Sequence, residues 1–225
     1  MKAELLSTFG DDLMVVNAAR VSMAKHHDVF DKDTDTRLIK YLAKHNHIMP
    51  FAHPKAQFRL HLPIFVARQW EKHRIGAVRG YDGYDQSEVS RRYVDDCPEF
   101  WEPKAWRTRP EGSIKQGSGG GVPEYFQAPL TAILHDAHNA AVNTYAYLLA
   151  HDVAPEQARA VLPQSTYTQW IETGSLLYWS RLCGLRLDAH AQQEIRELAT
   201  QVDQQMAEKF PVAWAALRRA GRSDT

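Results

Sequence analysis

Between Arg68 and Tyr93 the chain reads RQWEKHRIGAVRGYDGYDQSEVSRRY, with Arg68, Lys72, His73, Arg74, Arg79, Arg91 and Arg92 crowded into a protein whose formal net charge is zero. A local excess of cations on a neutral chain points to a small anionic ligand, whereas a nucleic-acid binder would be basic over a whole face. The carboxylate of Glu88 and the hydroxyl of Ser90 stand among these cations. The segment therefore offers donors for a phosphate together with polar groups that can read a base. Arginine supplies a planar two-pronged donor and lysine a point charge. If the segment is helical, Arg68 falls beside Lys72 and Gln69 beside His73. Taken alone, that arrangement better fits a solvated helix face paired with Glu71 and nearby acids. Arg91 and Arg92, placed after a loop that can fold back, weigh against the plainer reading.

Two further pairs carry chemistry. Glu156 and Arg159 are three apart in a short predicted helix, and Arg186 and His190 are four apart where the last long helix is expected to start, with Asp188 as its cap. An ordinary surface ion pair and a terminal cap cluster are the alternatives. The histidines at 45, 47 and 53, and the pair at 135 and 138, invite a metal, but no HExxH or paired-cysteine motif accompanies them and no metal site is predicted. HNH at 45–47 is not a nuclease motif. GSGGG at 117–121 lacks the Lys–Ser/Thr of a phosphate loop.

These residues need a scaffold, and the composition supplies one. A chain of 225 residues, 44% hydrophobic and 24% charged, can bury a core. It reads as a single domain over 1–225. Equal numbers of basic and acidic residues (27 and 27) argue against a general DNA or membrane-surface partner. Two cysteines are too few for a disulfide framework and suit a reducing compartment. No signal-peptide pattern or membrane-spanning run is seen, so a cytoplasmic location is expected.

Helices dominate the expected elements, with a few strands between them, which gives an α+β class with a modest twisted sheet flanked by helices. Leu13–Val16 fits a buried strand or the lead into a helix. Asp35–His45 reads as a helix capped by Thr34 or Asp35. Phe58, Leu60 and Leu62 alternate with Gln57, Arg59 and His61 as in a half-buried strand, and Pro63 suits the first position of a helix running through Lys72. Residues 80–86 read as a loop. Residues 98–122, rich in Pro, Gly and Trp, form a long loop that is either functional or a mobile excursion. Helices are expected at Pro129–Ala150, Pro155–Val161, Ser175–Cys183 and Asp188–Lys209, the last with Ile195, Leu198, Val202 and Met206 on one stripe, and Thr166–Ile171 is β-rich.

The chain resembles the flavin-dependent thymidylate synthases, the ThyX family. The family signature RHRxxSxNExSxRY is approximated by KHRIGAV and, after extra residues, SEVSRRY. NAARVS at 17–22, YLAKHNHIMPFAH at 41–53, PIFVARQW at 63–70, APEQARAVLP at 154–163 and LRLDAHAQQEI at 185–195 extend the likeness over nearly the whole chain, and other phrases resemble a phage and bacterial branch. The resemblance implies a homotetramer with sites at subunit interfaces, binding FAD, dUMP and a folate and no nucleic acid or membrane. NADPH would reduce the flavin, and methylenetetrahydrofolate would supply the carbon that converts dUMP to dTMP. No cysteine nucleophile is needed.

Carried over residue by residue, the nucleotide positions are Gln69, Lys72, Glu88, Ser90, Arg91, Arg92, Arg159 and Arg186. The FAD positions are Ser22, Lys72, His73, Arg74, Ile75, Ser175, Arg181 and His190. Arg186 is expected to stabilise charge on the uracil carbonyl, with Ser90 near the pyrimidine and His47 and Glu156 in positioning and proton-relay roles. The chain also departs from the pattern. Arg74 to Glu88 spans 14 residues where the signature has six, so about eight, at 79–86, are inserted. Lys72 replaces an arginine, Ala77 a serine and Ser87 an asparagine. Ser175 replaces an asparagine, Leu177 an arginine and Arg181 an asparagine or histidine, while Met49 and Ala52 replace polar residues. The insertion leaves open a different 5-substituted pyrimidine product, and the altered flavin positions leave open a binding protein without catalysis.

Overall fold

A computed structural model describes residues 1–73, 86–93, 96–112 and 117–220. In chain order the elements are β1 (Lys2–Phe9), α1 (Asp12–Arg20), α2 (Thr34–Lys44), β2 (Lys55–Pro63), α3 (Ile64–Trp70), β3 (Gln86–Glu88), α4 (Glu124–Ala150), α5 (Pro155–Ala158), β4 (Tyr167–Ser175), α6 (Leu176–Arg186), α7 (Gln193–Lys209) and α8 (Pro211–Ala220). Among the described residues the strands form one sheet in the order β1-β2-β4-β3, an α+β arrangement as expected. Contacts cluster into two units. The first holds Met1, His61–Glu71 and Glu88–Trp170; the second holds Lys2–Leu60 and the described residues within 72–87 and 171–225. No helix among the described residues is long and apolar enough to cross a membrane.

The second unit is built on periodic apolar residues. Phe58 and Leu60 of β2 are fully buried, and the ring of Trp179 meets Phe58 edge-on at 4.8 Å while its indole N–H donates to the Ala56 carbonyl at 3.0 Å. On α7 the stripe Ile195, Leu198, Val202 and Met206 is fully buried, each side chain contributing on the order of 1.5–3 kcal/mol by leaving water. The same helix holds β1, which the sequence reading did not anticipate. Gln201 and Gln205 accept from the Ala3 and Leu5 amides at 2.9 Å, and Gln205 donates to the Ala3 carbonyl at 2.9 Å. These bonds satisfy backbone groups of an edge strand.

Aspartates fix the starts of several helices, and two of the same region, Asp12 and Asp35, are buried. Leu13–Val16 lies in α1, whose N-cap Asp11 accepts from the Met14 amide at 3.0 Å. The neighbouring Asp12 accepts from the Val212 and Ala213 amides at 2.8 and 2.9 Å and so caps α8, a helix also absent from the sequence reading. The cap on α2 differs from the expected Thr34 or Asp35. Asp31 accepts from the Thr34 amide at 2.6 Å, and Asp35 turns inward. Fully buried, Asp35 takes Arg20 at 2.8 Å, His27 Nδ1 at 3.1 Å and the Asp31 amide at 2.9 Å. This cluster ties the end of NAARVS to α2.

In the first unit, Pro63 closes β2 and caps α3 from outside, and the helix stops at Trp70 instead of reaching Lys72. α4 begins at Glu124, ahead of the expected Pro129, because proline near a helix start sacrifices only one bond to the preceding turn. The described parts of the loop at 98–122 are tied down. Trp101 N–H donates to the Ser165 carbonyl at 2.8 Å, and Phe100 stacks on His138 at 4.4 Å. Gln127 of α4 accepts from the Trp106 amide at 2.8 Å and donates to the Val122 carbonyl at 3.0 Å.

Removing Asp35 leaves Arg20, whose side chain is 14% exposed, without its carboxylate. Asp35→Ala is expected to lose about 3–5 kcal/mol in urea unfolding, the cost of breaking a buried pair. Burial pushes the Asp35 carboxyl up, but the Asp31 amide, His27 and Arg20 outweigh it and hold the group below the usual carboxylate range. Its stabilisation is therefore present above the unfolded carboxyl's pKa, and unfolding at stepped pH should show it lost as pH falls below about 4.

Candidate active site

The second half of the signature is a strand end followed by a turn. β3 closes on Glu88, and the next amide, Val89, donates to the Gln169 carbonyl at 2.9 Å, keeping the segment in register with β4. Thr168 of β4 donates its hydroxyl to Glu88 Oε1 at 2.5 Å. The turn follows, closed by the Tyr93 amide on the Ser90 carbonyl at 3.0 Å. Within it Arg92 Nε donates to Ser90 Oγ at 3.1 Å, and Arg91 Nη1 donates to the Asp96 carbonyl at 3.0 Å and carboxylate at 3.1 Å. Arg159 follows α5 directly and donates through Nε to the Glu156 carbonyl at 3.2 Å, so the predicted Glu156–Arg159 pair meets through backbone.

Glu88, Arg91, Asp96, Arg159, Tyr167 and Thr168 line a cavity of about 210 Å³ with apolar walls from Ile64, Val89 and Leu162. That volume suits a small ligand. Two guanidiniums offer an anion site and Glu88 an acceptor for O–H or N–H groups. Tyr167 is held in place by His61, stacked at 4.5 Å, and by the Met1 amino group, which donates to its hydroxyl at 3.2 Å. Among the described residues the lining omits Gln69, Ser90, Arg92 and Glu156 of the first unit. Asp96, Tyr167 and Thr168 were not singled out in the sequence. Nothing local marks them, since Thr168 meets Glu88 across 80 positions.

The second unit holds Ser22, His47, Lys72, His73, Ser175, Arg181, Arg186 and His190, while Arg74, Ile75 and most of the insertion at 79–86 lie outside the described residues. Lys72 and His73 follow α3, so the i,i+4 pairings expected of a continuous helix do not apply. His73 is buried beside Tyr178 (rings 6.0 Å apart, 21° between planes), and its Nε2 has no hydrogen-bond partner among the described residues. Burial lowers its pKa first, then the Arg186 and Arg181 guanidiniums, so the imidazole is held neutral. Gly174 allows this packing, because a Cβ there would strike the Tyr178 ring. The Tyr178 hydroxyl donates to Glu172.

Ser175 is the N-cap of α6 and accepts from the Tyr178 amide at 3.1 Å. Arg186 ends that helix and does not open the next. Asp188 accepts from the His190 amide at 2.8 Å and Nδ1 at 2.9 Å, an Asx-type turn that delays α7 to Gln193. His47 is presented by the end of α2. Asn46 takes the left-handed conformation (φ 55°) and the His47 amide reaches back to the Leu42 carbonyl at 2.9 Å, a Schellman closure. Ser22 sits in a turn after α1 with its hydroxyl on the Ala19 carbonyl at 3.1 Å.

Residues 4–212 match the family described as thymidylate synthase complementing protein. The chain belongs to that family. Among its relatives, a flavin-dependent thymidylate synthase of Thermus thermophilus is 36% identical over 212 residues, 94% of this chain and 73% of the relative. One from Thermotoga neapolitana is 34% identical over 213 residues, 95% and 88% of the two chains. Among solved structures, the UMP/dUMP methylase PolB of Streptomyces cacaoi bound with 5-Br dUMP superposes with a TM-score of 0.85 at 29% identity, covering 98% of this chain and 96% of that one. Of the signature residues, Glu88 and Arg91 line the cavity of the first unit, and His73 is the buried imidazole of the second.

Because the folded pKa of His73 lies below that of a free imidazole, the unfolded chain takes up the proton first. The contribution of His73 to stability is whole above about pH 6.5 and declines as pH falls through the folded pKa. An NMR titration of the His73 ring should give a midpoint below that of a free imidazole, and protonation at or above the free-imidazole value would contradict the burial argument.

Proposed function

We propose that the protein methylates dUMP reductively to dTMP, with FAD as cofactor, methylenetetrahydrofolate as carbon donor and NADPH as reductant. The observation that carries this reading is the cavity built from the signature residues Glu88 and Arg91 with Arg159, a charge pattern suited to a nucleoside monophosphate. Arg91 and Arg159 take the phosphate, joined by Lys72 and Arg92. Glu88, Ser90 and Gln69 take the nucleoside. Arg186 places positive charge where the uracil carbonyl becomes anionic as its carbon 5 attacks the folate methylene, an interaction stronger in the transition state than before it. His47 and Glu156 hold and relay the proton that leaves carbon 5.

The second unit fits a flavin on one direct observation. The buried Nε2 of His73 has no partner among the described residues, and neutral imidazole beside two guanidiniums suits an acceptor-rich, partly anionic group. His73, Arg181, Ser22, Ser175, His190 and Lys72 would hold it, with Arg74 and Ile75 of the same signature. When bound, the reduced flavin supplies the hydride that turns the transferred methylene into a methyl group. Neither Cys97 nor the fully buried Cys183 is needed, and burial pushes the Cys183 thiol up, away from nucleophilic thiolate.

A homotetramer working in the cytoplasm completes the proposal. The oligomer is supported by α4, which leaves Tyr125 (72%), Ile133 (65%) and Tyr147 (63%) exposed on one helix. A second reading, that UMP is also accepted, is favoured by the Streptomyces neighbour, a methylase of both UMP and dUMP.

Purified protein should be yellow with FAD. With NADPH, methylenetetrahydrofolate and dUMP it should give a nucleotide heavier by one methylene by mass spectrometry, and a colourless protein or a hydroxymethyl product would refute the assignment. Running UMP beside dUMP decides the second reading. Arg186→Ala is expected to cut kcat about 10²–10³-fold, on the scale of a lost oxyanion donor, with an unchanged melting curve. Arg159→Ala should raise the KM for dUMP about tenfold or more, the weight of a charged hydrogen bond.

A further inference from the structure

We infer that Thr168 is a positioning residue for the nucleotide site, holding the Glu88 carboxylate in the orientation that reads the nucleoside. The inference rests on the proposed nucleotide-binding function. Glu88 ends a strand of three residues, and a free glutamate side chain would lose rotamer entropy on being fixed by the ligand itself. Thr168 removes that cost in advance. It is 6% exposed on β4, its β-branched side chain has little rotational freedom, and its hydroxyl reaches Glu88 Oε1 at 2.5 Å, the length of a charge-assisted bond. The Val89 amide on the Gln169 carbonyl at 2.9 Å locks the register that brings the two side chains together.

A carboxylate offers about four lone-pair positions, so one bond to Thr168 fixes its plane without exhausting it. Thr168 and Glu88 both line the cavity that contains Arg91 and Arg159. The carboxylate cannot attract the phosphate, so its ligand partner is a donor, a sugar hydroxyl or base N–H. Thr168 thus acts on recognition of the nucleoside and leaves the phosphate contacts alone.

The test uses the FAD-loaded enzyme and calorimetric titration with dUMP and, separately, inorganic phosphate. Thr168→Val should weaken dUMP binding about tenfold, the weight of one hydrogen bond to a charged group, and leave phosphate binding unchanged. The KM for dUMP should rise by a similar factor with kcat within about twofold, and Thr168→Ser should restore both. In the double variant with Glu88→Gln the loss should not exceed that of Glu88→Gln alone, because the threonine works through the carboxylate. Unchanged dUMP affinity in Thr168→Val, equal loss of dUMP and phosphate, or additive losses in the double variant would overturn the inference and leave the proposed reaction standing. Wild-type enzyme that binds no dUMP would overturn both.

Discussion

The first residues of β4 decide where the charges of the first unit's cavity stand. Tyr167 donates its amide to the Glu99 carbonyl, Thr168 holds Glu88, and the Gln169 carbonyl receives Val89. A strand as short as β3 has too few ladder bonds to stay in place alone, since an isolated strand pair is marginal in water. Its position is therefore set by β4, and with it the turn carrying Ser90, Arg91 and Arg92. β4 continues into α6 through the Ser175 cap, so one uninterrupted segment, Tyr167–Arg186, supplies the floor of one site and the helix that lies against His73.

Both sites concentrate charge, and each settles it before a ligand arrives. In the cavity of the first unit Arg91 is half-buried while Arg159 and Glu88 are exposed, and each charged group still has a hydrogen-bond partner that fixes its direction. Arg91 leans on the Asp96 carboxylate and carbonyl, Arg159 on the Glu156 carbonyl, and Glu88 on a hydroxyl. These partners are carbonyls, hydroxyls and one exposed acid, so they orient the charge without neutralising it fully. An anion that replaced or joined them would meet donors already aimed. His73 follows the opposite course. With two guanidiniums near and water excluded, it gives up its charge and keeps a neutral ring.

What the sequence made legible was what repeats with a period. Phe58, Leu60 and Leu62 alternate and do form a strand, and the α7 stripe emerges buried at every position named. Boundaries set by side-chain capping were less readable. Asp35 looked like a cap because it precedes an apolar run, yet a desolvated Arg20 claims it; the N-cap is Asp33, and Asp31 takes the first helical amide. β1 carries no clean alternation, and its anchors, Gln201 and Gln205, lie about 200 positions away. Of the sites, the cations and Glu88 stood out by composition and by family likeness. Two of their holders, Thr168 on Glu88 and Asp96 on Arg91, are ordinary residues given a role by pairing in the folded chain, which no local pattern encodes.

The departures from the family pattern on α6 become intelligible on the same terms. Serine for asparagine at 175 keeps an N-cap, since both side chains accept from the amides of the first turn. Leucine for arginine at 177 places an apolar side chain where the helix is 7% exposed, a position that would desolvate a guanidinium. The arginine at 181, absent from the pattern, stands four residues on and thus on the same face, about one turn of 5.4 Å further along the helix. There it is only half-buried and acts on His73. Against the pattern that the resemblance implies, the two substitutions together would keep the number of cations on that helix face. Neither change alone would do so: leucine by itself would strip a cation from the helix, and arginine by itself would set two in successive turns.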